Sequence, residues 1–324
     1  MPEVICLGEL LIDFCATARD VSLAEAPGFT RAAGGAPANV AVAVQRLGGT
    51  SGFIGAVGRD GFGDFLARTL AEEGVDTVGL VRRDDTRTPL AFVAVRSDGA
   101  GDFFFYHDAG LAPLRADDVH AGYLASAKAL HFGSISRIAS EARAATDKAR
   151  RMAREQGLLV SYDPNYRPRL WPDVTIARRR IREGFAGVTI AKVSREEWSF
   201  IFGSDDFDRG ASELLDAGAE IVVRSEGADG ARFATSRARG RAAGFRVGSV
   251  EFTGAGDAFV GSLLTDLVAR RGAGAAPSDL DGDELNRIVR RANAVGALAT
   301  TRHGAIPALP RRDEVDALLN AAGE

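Results

Sequence analysis

Lysine is scarce in this chain: of its 40 basic residues only Lys128, Lys148 and Lys192 are lysine. Arginine does not freely replace lysine as a point charge beside phosphate, so each of the three needs a structural or functional reason. Cysteine is scarcer still. Cys6 and Cys15 lie in or beside one apolar N-terminal run, which excludes a disulfide framework and reads as reduced thiols, with the cytoplasm as the expected compartment. The four histidines, His107, His120, His131 and His303, show no metal-ligand spacing. No apolar run approaches the roughly 20 residues that span a bilayer, and MPEVICLGELLIDF lacks the basic flank and cleavage site of a signal peptide, so no membrane role is expected. A net charge of −4 gives no electrostatic case for nucleic acid. The GxxxxGK[ST] loop of P-loop kinases is missing. GAVGRDGFG is too loosely spaced for a dinucleotide fingerprint.

What is present suits a sizeable core. At 324 residues, 46% hydrophobic and 26% charged, the chain predicts one large α/β unit or a main domain with a smaller appendage. Short β-branched runs alternate with amphipathic segments, the rhythm of βαβ units around a mostly parallel sheet. VICLGELLIDF reads as the first strand, and PANVAVAVQRLGG as a helix with Pro37 in its first turn and Gly48-Gly49 at its exit. Further strand and helix pairs follow through GVTIAKV and SREEWSFIFG. A hairpin is predicted through ARFATS and AAGFRVGSV, then helices over Ala255 to Arg271 and Asp283 to Thr300.

Two stretches break the rhythm. Residues 16–33 are turn-rich, and TPLAFVAVRSDGAGDFFFYH is two alternating runs joined by SDGAGD, a hairpin signal. Together, at about 14–33 and 86–108, they predict a small sheet that could close over a site as a lid, with a plain surface hairpin as the competing reading. The strand edges of TPLAFVAV and FFFY suggest a homodimer through that sheet.

The chemistry concentrates in Val250 to Gly261, VEFTGAGDAFVG. Gly254, Ala255 and Gly256 leave the amides at a helix start open to an anion, and Asp257 sits beside them. A carboxylate there repels a bound phosphate, so it reads as a base taking the proton of an attacking hydroxyl. In AAGGAPANVAV, Gly34 and Gly35 allow close backbone approach, and Asn39 could bond a polyol or simply belong to an amphipathic helix. Asp13 ends a strand, where α/β sheets bind ligands and where solvated aspartates are also common. In SYDPNYRPRLW a stiff turn holds Asn165 and Arg167 beyond a strand; Arg167 suits phosphate or sugar, and in so arginine-rich a chain also suits plain surface. Ser194 and Glu197 form a capping box after Lys192. Gly227 and Gly230 in VRSEGADG serve a nucleotide turn or a hairpin equally.

In this order, GGAPANVAVAVQRLGG, DPNYRPRLW, TGAGDAFVG and ANAVGALATTRHGAIPALP resemble the ribokinase-type (PfkB) carbohydrate kinase family over nearly the whole chain. Within it, GELLIDF, LHFGSIS, DPNYRPRLW, KVSREE and GAIPALP are similar to fructokinases. The resemblance implies a ribokinase-like three-layer α/β/α fold in a single domain over 1–324, with a mostly parallel central sheet and a small β lid. It implies ATP-dependent phosphorylation of D-fructose at its 6-hydroxyl, with Asp257 as base and the amides of Gly254, Ala255 and Gly256 as anion hole. Asp13, Gly34, Gly35, Asn39 and Arg167 would hold the sugar. Asn165, Lys192, Ser194, Ser225, Gly227, Gly230, Thr253 and Asn293 would hold ATP, and Glu197 would shape the magnesium (Mg2+) environment through water. The family's usual Asp-Thr pair, which helps form a monovalent-cation site, is here Glu251-Phe252, leaving potassium (K+) open. His107, Leu111 and Ala112 also depart from the fructokinase pattern and bear on which sugar is taken. The alternatives are a 2-keto-3-deoxygluconate kinase or another PfkB sugar kinase. A non-catalytic sugar- or nucleotide-binding protein on the same scaffold is the alternative from outside the kinases.

Overall fold

The computed structural model describes residues 1–95, 101–106, 114–272, 274 and 277–323. His107, Leu111, Ala112 and most of the SDGAGD turn lie outside the described residues.

Two sheets organise the chain. The larger has nine strands in the order β13-β12-β11-β10-β9-β8-β1-β4-β5. These are β1 (Val4–Leu7), β4 (Ser51–Gly58), β5 (Asp76–Arg83), β8 (Ala129–Gly133), β9 (Leu159–Asp163), β10 (Ile190–Ser194), β11 (Ile221–Ser225), β12 (Ala231–Ala234) and β13 (Arg239–Ala242). From β11 to β5 every pairing is parallel, and β12 and β13 add an antiparallel edge. The smaller sheet has the order β3-β2-β6-β7, from β2 (Leu11–Ala16), β3 (Phe29–Gly34), β6 (Leu90–Val95) and β7 (Gly101–Tyr106).

Side-chain alternation along the buried strands makes the layers. On β1, Val4 and Cys6 join the core on one face while Ile5 and Leu7 join the other; on β11, Ile221 and Val223 oppose Val222. The first face is covered by α1 (Ala36–Arg46), α2 (Gly61–Glu72), α8 (Ala255–Gly272), α9 (Gly282–Ala299) and α10 (Arg312–Ala321). The second is covered by α3 (Ala121–Leu124), α4 (Ser140–Glu155), α5 (Val174–Gly184), α6 (Arg195–Phe202) and α7 (Phe207–Asp216). The result is the three-layer α/β/α arrangement with a small second sheet.

Two sequence-based assignments need correction. VICLGELLIDF is two strands in different sheets: a side chain at Gly8 would meet Pro37 Cγ at 2.6 Å, and at this glycine the chain leaves the main sheet for the small one. The late hairpin pairs ARFA with RGRA, and Phe245 to Val250 lie outside any strand. The edges of the small sheet also differ from expectation. β6 lies between β2 and β7, so TPLAFVAV is interior and the edges are β3 and β7.

α1 and α8 pack closely because Gly261 has no side chain: a Cβ there would lie 2.4 Å from Ala43 Cβ. Over-packing such a contact costs about 1–3 kcal/mol. Gly261→Val is therefore expected to lower the unfolding free energy read from urea titration by that order, without altering the secondary structure seen by circular dichroism.

Candidate active site

The parallel strands end on one side of the sheet, where doubly wound folds bind ligands. Asp163 closes β9, Ser194 closes β10 and Ser225 closes β11. Facing them is the start of α8, after the left-handed Gly254 (φ 81°), with Asp257 in its first turn.

Asp257 is 6% exposed, and both carboxylate oxygens are held by amides from distant parts of the chain. Asn39 Nδ2 donates to Oδ2 at 2.8 Å, and Asn165 Nδ2 donates to Oδ1 at 3.0 Å. Asn39 is on α1. Asn165 follows β9 with φ 45°, a left-handed conformation that asparagine tolerates better than most residues. Burial pushes the Asp257 carboxyl up to about 6, while the Asn39 hydrogen bond and the positive charges of Arg167 and Lys192 pull the other way.

Around Asp257 lie the residues expected to hold a polyol. Asp13 is 8% exposed, and Gly34 makes room for it, since a Cβ on Gly34 would sit 2.0 Å from Asp13 Oδ2. Gly35 (φ 113°) passes so close to Glu9 O that a Cβ would lie 2.3 Å away. Glu9 Oε1 accepts from Ala36 N at 3.0 Å, pinning the entrance to α1. Burial pushes both Asp13 and Glu9 up to about 7, with the nearby Arg167 charge opposing. Glu9 was missed from sequence, where GELL read as the middle of a strand.

Two cavities meet at this point. One, of about 350 Å³, is lined by Asn165, Arg167, Thr253, Gly254 and Asp257 together with Glu197. The other, of about 580 Å³, brings together Ser225, Gly227, Gly230 and Asn293, which sequence alone could equally have left in separate turns. Lys192, Ser194, Glu196, Phe252 and Gly256 line both. The larger cavity has apolar walls from Phe245, Val247, Phe259 and Ala297. The stretch read as a second hairpin strand thus supplies two of these walls instead. Asn293 Nδ2 is committed to the carbonyls of Ala242 and Ala243, at 3.1 and 3.0 Å, and so fixes the end of β13 against the cavity.

Lys192 lies where the cavities join. It is 4% exposed, its Nζ donates to Asp163 Oδ2 at 2.8 Å, and a Cβ on Gly256 would come within 3.1 Å of it. Burial works against its charge, yet Asp163 and Glu197 outweigh that and raise it above the usual lysine range. Glu197 completes the expected capping box: Oε2 accepts from Ser194 N at 3.0 Å, and Oε1 accepts from Tyr166 N at 2.5 Å. Both oxygens therefore tie α6 to the turn carrying Asn165. Of the three amides expected to form an anion hole, Ala255 N donates to Phe252 O at 3.3 Å, closing the turn into α8. Among the described residues no group of three or more His, Cys, Asp or Glu is arranged to hold a metal.

The Glu251-Phe252 departure is visible too. Glu251 is 3% exposed; Oε2 accepts from Gly304 N at 3.1 Å and lies 3.2 Å from His303 Nδ1, while Oε1 is buried without a hydrogen-bond partner. Phe252 is half exposed between the two cavities.

The pfkB family carbohydrate kinase model matches residues 1–312. The chain belongs to that family. As a pfkB carbohydrate kinase it is 42% identical to fructokinase-2 of Solanum lycopersicum over 98% of this chain and 95% of the relative. Its fold matches the fructokinase of Xylella fastidiosa solved with bound ATP, with a TM-score of 0.90, 35% identity and full coverage of both chains. The Vibrio cholerae O395 fructokinase solved with fructose, ADP and calcium gives a TM-score of 0.85 and 32% identity, over 98% of this chain and 99% of that one. For this pfkB kinase, the buried acid cluster carries a stability consequence. A carboxyl raised to about 7 when folded favours folding fully below the unfolded value near 4, and that contribution is lost as pH rises through 7. Asp13→Asn is therefore expected to raise the melting temperature at pH 8 by about 2 °C or more, a gain that fades toward pH 4 in calorimetric scans.

Proposed function

We propose that this pfkB kinase transfers the γ-phosphate of ATP to the 6-hydroxyl of D-fructose, with Asp257 as the general base. The observation that carries the reading is the Asp257 carboxylate, buried, gripped by Asn39 and Asn165, and lining the smaller cavity next to Gly256, which lines both. The hydroxyl proton passes to Asp257, the sugar oxygen bonds to the γ-phosphorus, and the bond to the β-phosphate oxygen breaks to release ADP. Asp13, Gly34, Gly35, Asn39 and Arg167 hold the sugar. The apolar cavity takes the adenine and ribose against Ser225, Gly227, Gly230 and Asn293, with Asn165, Ser194 and Thr253 toward the phosphates. Lys192 neutralises phosphate charge at the junction, and the helix-start amides of Gly254 and Gly256 face the transferred group, while Ala255, whose amide donates to Phe252 O, holds the turn that presents them. The substrate identity comes from the fructokinases to which the chain is similar.

Related kinases hold ATP, or ADP with a divalent ion. Magnesium suits the donors present here, because it keeps most of its waters and needs only one or two carboxylates besides phosphate oxygens. Glu197 and Asp163 line the smaller cavity and would meet the ion only through its waters, since their oxygens already hold Ser194 N, Tyr166 N and Lys192 Nζ. When bound, the ion neutralises the β- and γ-phosphate oxygens. For potassium, the buried Glu251 Oε1, without a hydrogen-bond partner, is an acceptor that a bare cation would satisfy. The buried Cys6 and half-buried Cys15, both unpaired, suit a reducing cytoplasm.

Coupled ATP turnover against fructose, ribose, 2-keto-3-deoxygluconate and nucleosides tests the substrate, and fructose is expected to give the highest kcat/KM. Asp257→Asn is expected to lower kcat on the order of 10² to 10⁴ while leaving the sugar KM within a few-fold. Near-normal turnover of that variant would overturn the base assignment. Because the base must be ionised and its carboxyl is raised to about 6, kcat/KM is expected to level off above neutrality and fall on the acid side of 6.

A homodimer through the small sheet is part of the same proposal. The edge strand β7 exposes Phe104 at 49% and Tyr106 at 56%, and the opposite edge exposes Phe29 at 36%. Light scattering at micromolar concentration is expected to give twice the 34.1 kDa chain mass, and Phe104→Glu with Tyr106→Glu to give a monomer.

A further inference from the structure

Beside the nucleotide cavity, on the other side of β11 and the start of α6, lies a separate cavity of about 670 Å³ walled by Arg195, Arg224, Arg232, Arg239 and Arg241. Only two carboxylates, Asp208 and Glu226, share that wall. Asp205 and Asp229 pair with Arg224 and Arg195 from outside it. Counting all four acids, the cluster still carries one excess positive charge in a chain whose net charge is −4. The volume falls in the range of small-molecule sites.

The arginines are partly organised in advance. Arg224 and Arg232 lie over the Phe207 ring at 5.6 and 4.7 Å, which restrains two planar guanidiniums. Glu226, 3% exposed at its side chain, accepts from Arg224 Nη2 at 2.5 Å and pairs with Arg195 at 3.1 Å; Arg241 stands farther off at 3.6 Å. Asp208 pairs with Arg239 at 2.9 Å and Arg232 at 3.3 Å. The side chains of Arg195, Arg239 and Arg241 remain 41%, 41% and 57% exposed. Each guanidinium has five donors in a fork that matches phosphate oxygens, more than these carboxylates take up.

The two cavities share no lining residue, yet consecutive residues divide between them. Ser194 lines the nucleotide cavity and Arg195 the arginine cavity; Ser225 and Gly227 line the first, Arg224 and Glu226 the second. An anion drawing Arg195 and Arg241 away from Glu226 therefore acts on the flanks of the Gly227–Asp229 turn and on the first residue of α6. We propose that this arginine-lined cavity is a second ligand site for a phosphate monoester or free phosphate dianion, and that its occupation alters nucleotide affinity next door. The coupling, unlike the site, rests on the nucleotide reading given above.

Calorimetric titration of enzyme saturated with magnesium and ADP tests the site directly, using inorganic phosphate and glucose 6-phosphate as separate probes. The Arg239→Gln, Arg241→Gln double variant is expected to weaken binding by about tenfold or more, with basal kcat within twofold. Tighter binding of glucose 6-phosphate assigns the site to sugar phosphates; equal binding assigns it to phosphate itself. No binding at millimolar probe, or equal affinity in both proteins, would refute it. Should the double variant fail to fold, phenylglyoxal labelling of the wild type keeps the question decidable: the probe must slow modification of Arg239 and Arg241, and unchanged labelling counts against the site. Coupling is read as at least a twofold change in the KM for ATP on adding probe, lost in the double variant; binding without that change refutes the coupling alone.

Discussion

Two asparagine amides holding one buried carboxylate are the constraint around which the rest of the site is arranged. Asn39 comes from the first helix, Asn165 from the turn after the fifth parallel strand of the chain, and Asp257 from the start of the eighth helix. Three segments spread over more than two hundred residues must therefore arrive together before this one carboxylate is oriented. A carboxylate left without those donors would be costly to bury. With them, and with a helix start in front of it, the acid remains ionisable near neutral pH although burial lifts it to about 6.

The supports of these amides are themselves supported. Asn165 sits in a left-handed conformation secured by its neighbour, since Tyr166 N is bound by Glu197, and Glu197 is fixed by the cap of α6. The cap of α6 thus helps to fix the turn whose Asn165 holds Asp257. Lys192, one strand over, is fixed by Asp163 and gives a permanent cation where phosphate charge would accumulate. Its point charge and lack of a planar fork let it fit beneath Gly256, where a guanidinium would need more room. Scarcity of lysine in the chain made this one stand out, and its burial supplies the physical reason.

The mostly parallel sheet was legible in the sequence because short β-branched runs alternate with amphipathic segments that carry clear caps and breaks, and the family resemblance added the three layers. Asp257, Asn39 and Asn165 could be picked out because each stands at or just past a strand-to-helix junction, where glycine or proline marks a local constraint, and Lys192 because lysine is scarce. What escaped was set by tertiary placement. Gly8 gave no sign that one apolar run would serve two sheets, since the reason is contact with Pro37 far along the chain. Phe245 and Val247 looked like strand residues because apolar alternation is the same whether a segment pairs in a sheet or walls a cavity. Glu9 was hidden for a related reason: nothing local says that an acid within an apolar run will bond the entrance of the following helix.

Glu251 shows how a departure from a family pattern changes meaning once placed in space. At the level of sequence it lengthens an acid and sits beside a phenylalanine in place of a hydroxyl residue. In the fold, one oxygen is held by Gly304 N and approached by His303, while the other is buried without a partner. An unpartnered carboxylate oxygen in that environment is unfavourable unless a proton, a water or a cation reaches it. The longer side chain therefore leaves an acceptor to be satisfied beside the turn that leads to Asp257. The exposed Phe252 meanwhile redirects the turn's other side chain toward the junction of the two cavities. The departure thus sets a buried acid and a half-exposed aromatic ring side by side in the turn that leads to Asp257.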